Sequence, residues 1–195
     1  MNLKEIFRDK TRDNFQKILT GIGLECDMAE RGIIEEKLFN PWHRTSLGII
    51  KINSNSLIKY VNIIKKWGSK NDPPRWWFYF AVPAPTSASS SEYIEVKSIR
   101  KKSFPVIGKV KSIEWKANTK GKKLAGDFTE DLEINSLSKE SGNIKVQSLH
   151  KNFSGFSIEL EFNKSAVPLL SASNTSINIT QWNTLNKIAK LCVEN

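Results

Sequence analysis

Seven apolar residues in succession, Trp76-Trp77-Phe78-Tyr79-Phe80-Ala81-Val82, stand between Arg75 and Pro83. Successive side chains of a strand point to opposite faces of its sheet, so a strand that is apolar at every position needs cover on both faces. The block is too short to span a bilayer, which takes roughly 18 or more apolar residues. The chain is therefore expected to build around a central strand at 76–82, ended by Pro83 and Pro85.

The rest of the periodicity supplies its partners. Leu3, Ile6, Phe7, Phe15, Ile18, Leu19 and Ile22 recur at helical spacing, with Gly21 and Gly23 as stop signals. Leu24, Cys26 and Met28 alternate with Glu25 and Asp27, the pattern of a short half-buried strand with an acidic face. Residues 47–52 and 57–64, separated by Asn53-Ser54-Asn55-Ser56, read as a hairpin, although Leu57, Val61 and Ile64 also fit a helical period. Further strands are expected at 93–99, 106–115, 143–149 and 156–162, while 127–134 fits no single pattern. Trp182, Leu185, Ile188, Ala189 and Cys192 define a closing helix for which Thr180 is a candidate cap.

Helix, about seven or eight strands joined mostly by short turns, then helix, predicts an α+β fold: a mainly antiparallel sheet with the N-terminal and C-terminal helices packed against one face. A chain of 195 residues, 39% apolar and with ten Phe and six Trp, suits one domain over 1–195 with a packed core. The Ser-rich stretch at 86–91 is expected to be a long, mobile connector inside it.

The charge is concentrated. Residues 97–123 hold ten cations (Lys97, Arg100, Lys101, Lys102, Lys109, Lys111, Lys116, Lys120, Lys122 and Lys123) against the single acid Glu114, out of a net +10 for the whole chain. Such a local positive potential favours phosphate-rich or otherwise anionic partners, nucleic acid first among them. Within the window Val106, Gly108 and Val110 share one strand parity and Ile113 and Trp115 the other. A bulge at Lys111-Ser112 would reconcile the two and turn Lys109, Lys111 and Lys116 to solvent, with Lys120-Gly121-Lys122-Lys123 as a cationic turn at the strand end. Lysines on an edge strand also prevent edge-to-edge pairing, a purely structural use of the same residues.

The aromatic run offers stacking surface for bases if it is exposed, with Arg75 beside it, but consecutive bulky rings more commonly fill a buried strand. Glu95-Val96-Lys97 has the E-x-K form found in the PD-(D/E)-x-K nuclease group, where the acid binds a divalent metal and the lysine orients the attacking water. The Pro-Asp half is missing, and three such pairs occur (Glu35/Lys37, Glu95/Lys97, Glu114/Lys116) against about two expected by chance. His43 and His150 have no adjacent acid to orient them, and Cys26 lies between two acids that disfavour a thiolate. No P-loop, G-x-S-x-G, H-E-x-x-H or EF-hand spacing occurs, so no residue is assigned a catalytic role and no metal or cofactor is called for.

The N-terminal residues break their apolar positions with charge, which does not indicate a secretion signal, and Cys26 and Cys192 are expected as a reduced pair. A cytoplasmic, non-enzymatic binding protein follows, whose segment 97–123 contacts a polyanion. The alternatives are a metal-dependent nuclease, a protein that touches anionic lipid through its basic segment with the N-terminal amphipathic helix or Trp67 inserting apolar surface, and a subunit that buries the basic strand against a protein partner.

Overall fold

The computed structural model describes residues 9–30, 44–68, 70, 74–84, 93–103, 109–149, 153–162 and 177–195. Their elements run α1 (Thr11–Gly21), β1 (Cys26–Met28), β2 (Arg44–Ile52), β3 (Tyr60–Lys66), β4 (Arg75–Pro83), β5 (Glu95–Lys102), β6 (Val110–Ala117), α2 (Lys122–Glu130), α3 (Leu132–Ser141), β7 (Ile144–Leu149), β8 (Gly155–Phe162) and α4 (Ile179–Glu194). The strands make one sheet in the order β1-β2-β3-β4-β8-β7-β5-β6, antiparallel at every junction. The fold is α+β, as the pattern predicts. The connector at 86–91 lies outside the described residues.

The aromatic run is β4, and it is buried on both faces. Phe78 and Phe80 join Phe15 and Leu19 of α1, Phe128 of α2, Leu137 of α3 and Trp182 of α4 in one core on the helix-bearing face. The Phe15 and Phe78 ring centroids are 4.5 Å apart, a packed and tilted pair. The opposite parity, Trp77 and Tyr79, clusters with Ile64 on the other face. Five consecutive rings thus satisfy two layers at once.

Local chemistry sets the element ends. α1 stops in a Schellman arrangement, Leu24 N–H donating to the Leu19 carbonyl and Gly23 N–H to that of Thr20, with Gly23 at φ +91°. β2 and β3 form the expected hairpin, both extended, with a register shift between Ser46 and Ile49 where Gly48 adopts φ +108°. Cys26 is buried in β1 as expected, but Met28 is 42% exposed, because the third residue of so short an edge strand lies beyond the core.

Segment 122–141 departs most from the sequence pattern. Lys122 and Lys123 open a helix rather than lie in a turn, and 127–134 resolves into the end of α2, a cap and the start of α3. The Asp131 carboxylate accepts from the backbone of Glu133 and Ile134 and joins the two helices. α4 is capped by Asn178, in a reciprocal capping box with Gln181, and not by Thr180, which lies inside the helix.

Gly155 opens β8 at φ +145°, and a Cβ there would sit 2.1 Å from the Val82 carbonyl oxygen of β4. Gly155→Ala is expected to lose at least about 2 kcal/mol in urea unfolding. Gly126→Ala, in open space on the α2 surface, should instead gain up to about 1 kcal/mol. Equal midpoints for the two variants would contradict this backbone geometry.

Two buried-edge carboxylates tie stability to pH. Burial alone would raise the Asp131 pKa, but Lys187 at 2.5 Å and the two backbone donors outweigh it and hold the carboxyl below its ordinary value. The same balance holds at Asp9, where burial is outweighed by Lys65 and Thr11. Depressed folded pKa values give stabilisation that is present above the unfolded value of about 4 and lost as pH falls through the folded ones. Asp131→Asn, which keeps a capping oxygen, should therefore flatten the loss of urea stability below pH ~4. A curve parallel to that of the wild type would show that this carboxylate is not part of the acid response.

Candidate functional site

The basic window becomes a two-stranded ribbon followed by a helix start. β5 and β6 pair from Val96↔Ala117 to Lys102↔Val110, and the register shifts beside Lys101, leaving Lys111 bulged. That is the slip the sequence alternation calls for. Val96, Ser98 and Trp115 face the helices, Trp115 donating its indole N–H to Asn135 at 3.0 Å. The alternate positions of the ribbon lie on the other face, where Lys97 stands opposite Lys116 across the strands. Like charges so placed repel.

Only two acids belong to this ribbon, and both are engaged. Glu114 accepts from Lys101 at 2.8 Å and lies 3.7 Å from Lys116. Glu95 accepts from the Tyr93 hydroxyl, Lys145 and Gln147. The Tyr93 hydrogen bond foremost, with Lys145 and Lys97, keeps the Glu95 carboxyl below its ordinary pKa, and the Lys101 hydrogen bond does the same for Glu114. Tyr93 itself is pushed up by burial and by Glu95. Both carboxylates stay charged at neutral pH and neutralise lysines within the sheet. Arg100, Lys102, Lys109, Lys111, Lys122 and Lys123 make no ion pair among the described residues.

The ten predicted cations do not form one patch. Lys97, Lys101 and Lys116 share the face opposite the helices, Arg100 and Lys102 take the other strand parity, and Lys109 and Lys111 sit at the far end of the ribbon. Lys120, Lys122 and Lys123 follow the near end of β6, roughly 25 Å away at about 3.3 Å per residue. Gly121 lies so close to β5 that a Cβ would meet the Glu95 carbonyl oxygen at 2.7 Å. The first turn of α2 holds two lysines and no acid, against the preference of a helix N-terminus for negative charge.

Other candidates resolve clearly. Trp76 to Phe80 are each 7% exposed or less, so the run presents no surface on which bases could stack. Glu95 and Lys97 do project to the same face, yet no three His, Cys, Asp or Glu among the described residues are grouped to hold a metal ion. Both cysteines are free and buried, and burial raises the Cys192 pKa far above the ordinary thiol value. His43 and His150 lie outside the described residues. Trp67 is 61% exposed with Lys65 Nζ 4.0 Å over its ring, and among the described residues no helix is long and apolar enough to cross a membrane.

One arrangement was not visible in the sequence. β5 pairs with β7 over only three residue pairs, Glu95↔Gln147 to Lys97↔Lys145, while it continues along β6 to Lys102. At Ser98 the side chain replaces the ladder, its Oγ accepting from Ile144 N–H at 2.8 Å and from the Ser138 hydroxyl at 2.9 Å. Gly142, at φ +138° and tight against the Glu161 carbonyl, swings the chain into the sheet so that β7 begins at Ile144. Where β7 is absent, a notch of about 360 Å³ opens, lined by Arg75, Ser98, Arg100, Lys102, Asn143 and Glu161. Arg75, adjacent in sequence only to the aromatic run, reaches it from β4 with its guanidinium 3.5 Å from Glu161.

No protein-family model, curated protein or solved structure matches this chain. What the fold and site define is an α+β protein whose described strands form one eight-stranded antiparallel sheet, with a cationic β-ribbon at one side of it.

Proposed function

We propose that this protein binds a polyanion, nucleic acid in particular, through the β5–β6 ribbon, without catalysing a reaction on it. The supporting observation is a strand pair carrying six cations, Lys97, Arg100, Lys101, Lys102, Lys111 and Lys116, whose only two acids are already engaged in ion pairs. Edge protection accounts for lysines on β6, the outermost strand, but not for Lys97 on β5, which is paired with β6 and β7 at once. With the aromatic run in the core, affinity comes from phosphate neutralisation and counterion release. It is steeply salt-dependent and nearly indifferent to base sequence. Two free, buried thiols suit the reducing cytoplasm as the place of action.

The test is binding of labelled oligouridylate at low and near-physiological salt without divalent metal. Binding should weaken sharply with salt and vanish when Lys101, Lys102, Lys109, Lys111, Lys122 and Lys123 are all replaced by Gln. Retention of binding in that variant overturns the proposal. Co-sedimentation with anionic vesicles and no oligouridylate binding reassigns the surface to lipid.

A further inference from the structure

We infer that the notch between β5 and β8 is a built seat for a single phosphate group, with Arg100, Lys102 and Arg75 as its donors. The inference rests on the polyanion reading and locates where on the ribbon one phosphate is held rather than merely attracted.

Three features converge there. The first is direction. Ser148 N–H donates to the Ile94 carbonyl while Asn118 N–H donates to that of Glu95, so even-numbered residues of β5 turn their backbone groups toward β7. Beyond Ser98, where β7 no longer runs alongside, this aims the N–H groups of Arg100 and Lys102 into the notch. The second is charge. Two guanidinium groups and an ammonium line the space against one carboxylate, Glu161, which lies beside Arg75. Arg100 lines the notch, is half-buried and makes no ion pair among the described residues, so no carboxylate there neutralises its fork of donors. The third is fit. Arg100 and Lys102 come from one strand parity and Arg75, Asn143 and Glu161 from the other, so the notch is lined from both faces of the sheet. About 360 Å³ accommodates a nucleotide-sized group, at the small end of ligand sites of roughly 300–1,000 Å³.

An exposed strand edge also accepts an extended peptide, which needs donors and acceptors in equal measure. The excess of cationic donors here favours phosphate. The walls are fixed, since the two serine hydroxyls and Ile144 N–H lock β5 to α3 and β7 at the mouth.

The experiment compares Arg100→Gln, Arg75→Gln and, outside the notch, Lys122→Gln, with oligouridylate and inorganic phosphate as probes. Amide chemical shifts report on occupancy. Phosphate should move the Arg100 and Asn143 amides in the wild type and not in Arg100→Gln. Oligouridylate affinity should fall roughly tenfold in each notch variant and only about twofold in Lys122→Gln. Equal losses in all three variants, with no phosphate-induced shift at Arg100, overturn the seat and leave the polyanion reading standing. Phosphate shifts at Arg100 with no oligouridylate binding support the seat and overturn that reading. If an extended acidic peptide moves these amides and phosphate does not, the notch is a strand-addition site and the inference fails.

Discussion

Phe78→Ala is expected to cost about 3–5 kcal/mol in urea unfolding, the range for truncating a fully buried aromatic ring. Phe78 has no exposed surface, and its ring packs on Phe15 of α1, so the cavity opens at the junction of sheet and helix. Domains of this size are stable by about 5–15 kcal/mol, so the variant should be marginal at 37 °C but folded in the cold. Trp77→Ala, on the opposite face of β4, should destabilise comparably. The functional readout separates a core from a platform. Measured where both variants are folded, oligouridylate affinity should equal that of the wild type. If the rings served as a stacking surface, Trp77→Ala would lose binding while keeping its unfolding midpoint.

The opposite result is expected for the ribbon. Replacing Arg100, Lys102, Lys109 and Lys111 with Gln removes four cations that have no ion-pair partner among the described residues, and three of the four are exposed. Stability should change by no more than about 0.5 kcal/mol per site. Each phosphate contact to a single strand contributes about −0.7 to the slope of log K against log salt, so the slope should become shallower by about 3. The same variant should bind oligouridylate, oligoadenylate and mixed sequence with parallel losses, because phosphates carry no base information. An unchanged slope with a lowered affinity would mean that these four residues shape the surface without touching phosphate.

Most of the fold was legible where one residue pattern admits one structure. A strand apolar at both parities has to be interior, and Gly23 after Leu19 has to end a helix. α2 and α3 escaped because each buries only three positions, Leu124, Ala125 and Phe128 in one and Ile134, Leu137 and Ser138 in the other. The turn-forming run Asn118-Thr119-Lys120-Gly121 disguised their start. Asp131 before Leu132-Glu133-Ile134 was the capping signal that would have marked the second helix. The site was half legible. Ten cations close in sequence suggested one surface, but strand parity and the helix start distribute them over several. Arg75 and Arg100 line one notch only because β7, which lies between β8 and β5, begins late, a consequence of strand order that local pattern does not encode.

The order of the strands also keeps the two edges of the sheet far apart. β1 carries Asp27, while β6, at the opposite edge, carries Lys111 and Lys116 against Glu114. The two edges are seven inter-strand spacings apart, or roughly 34 Å at about 4.8 Å each. β2 and β3, beside β1, carry Arg44, Lys51, Lys65 and Lys66 and no acid, so positive charge is spread across the sheet and not confined to one end. Long-range attraction of a polyanion then depends little on which way the molecule is turned, and orientation is settled at contact. Added salt should slow association more than it hastens dissociation.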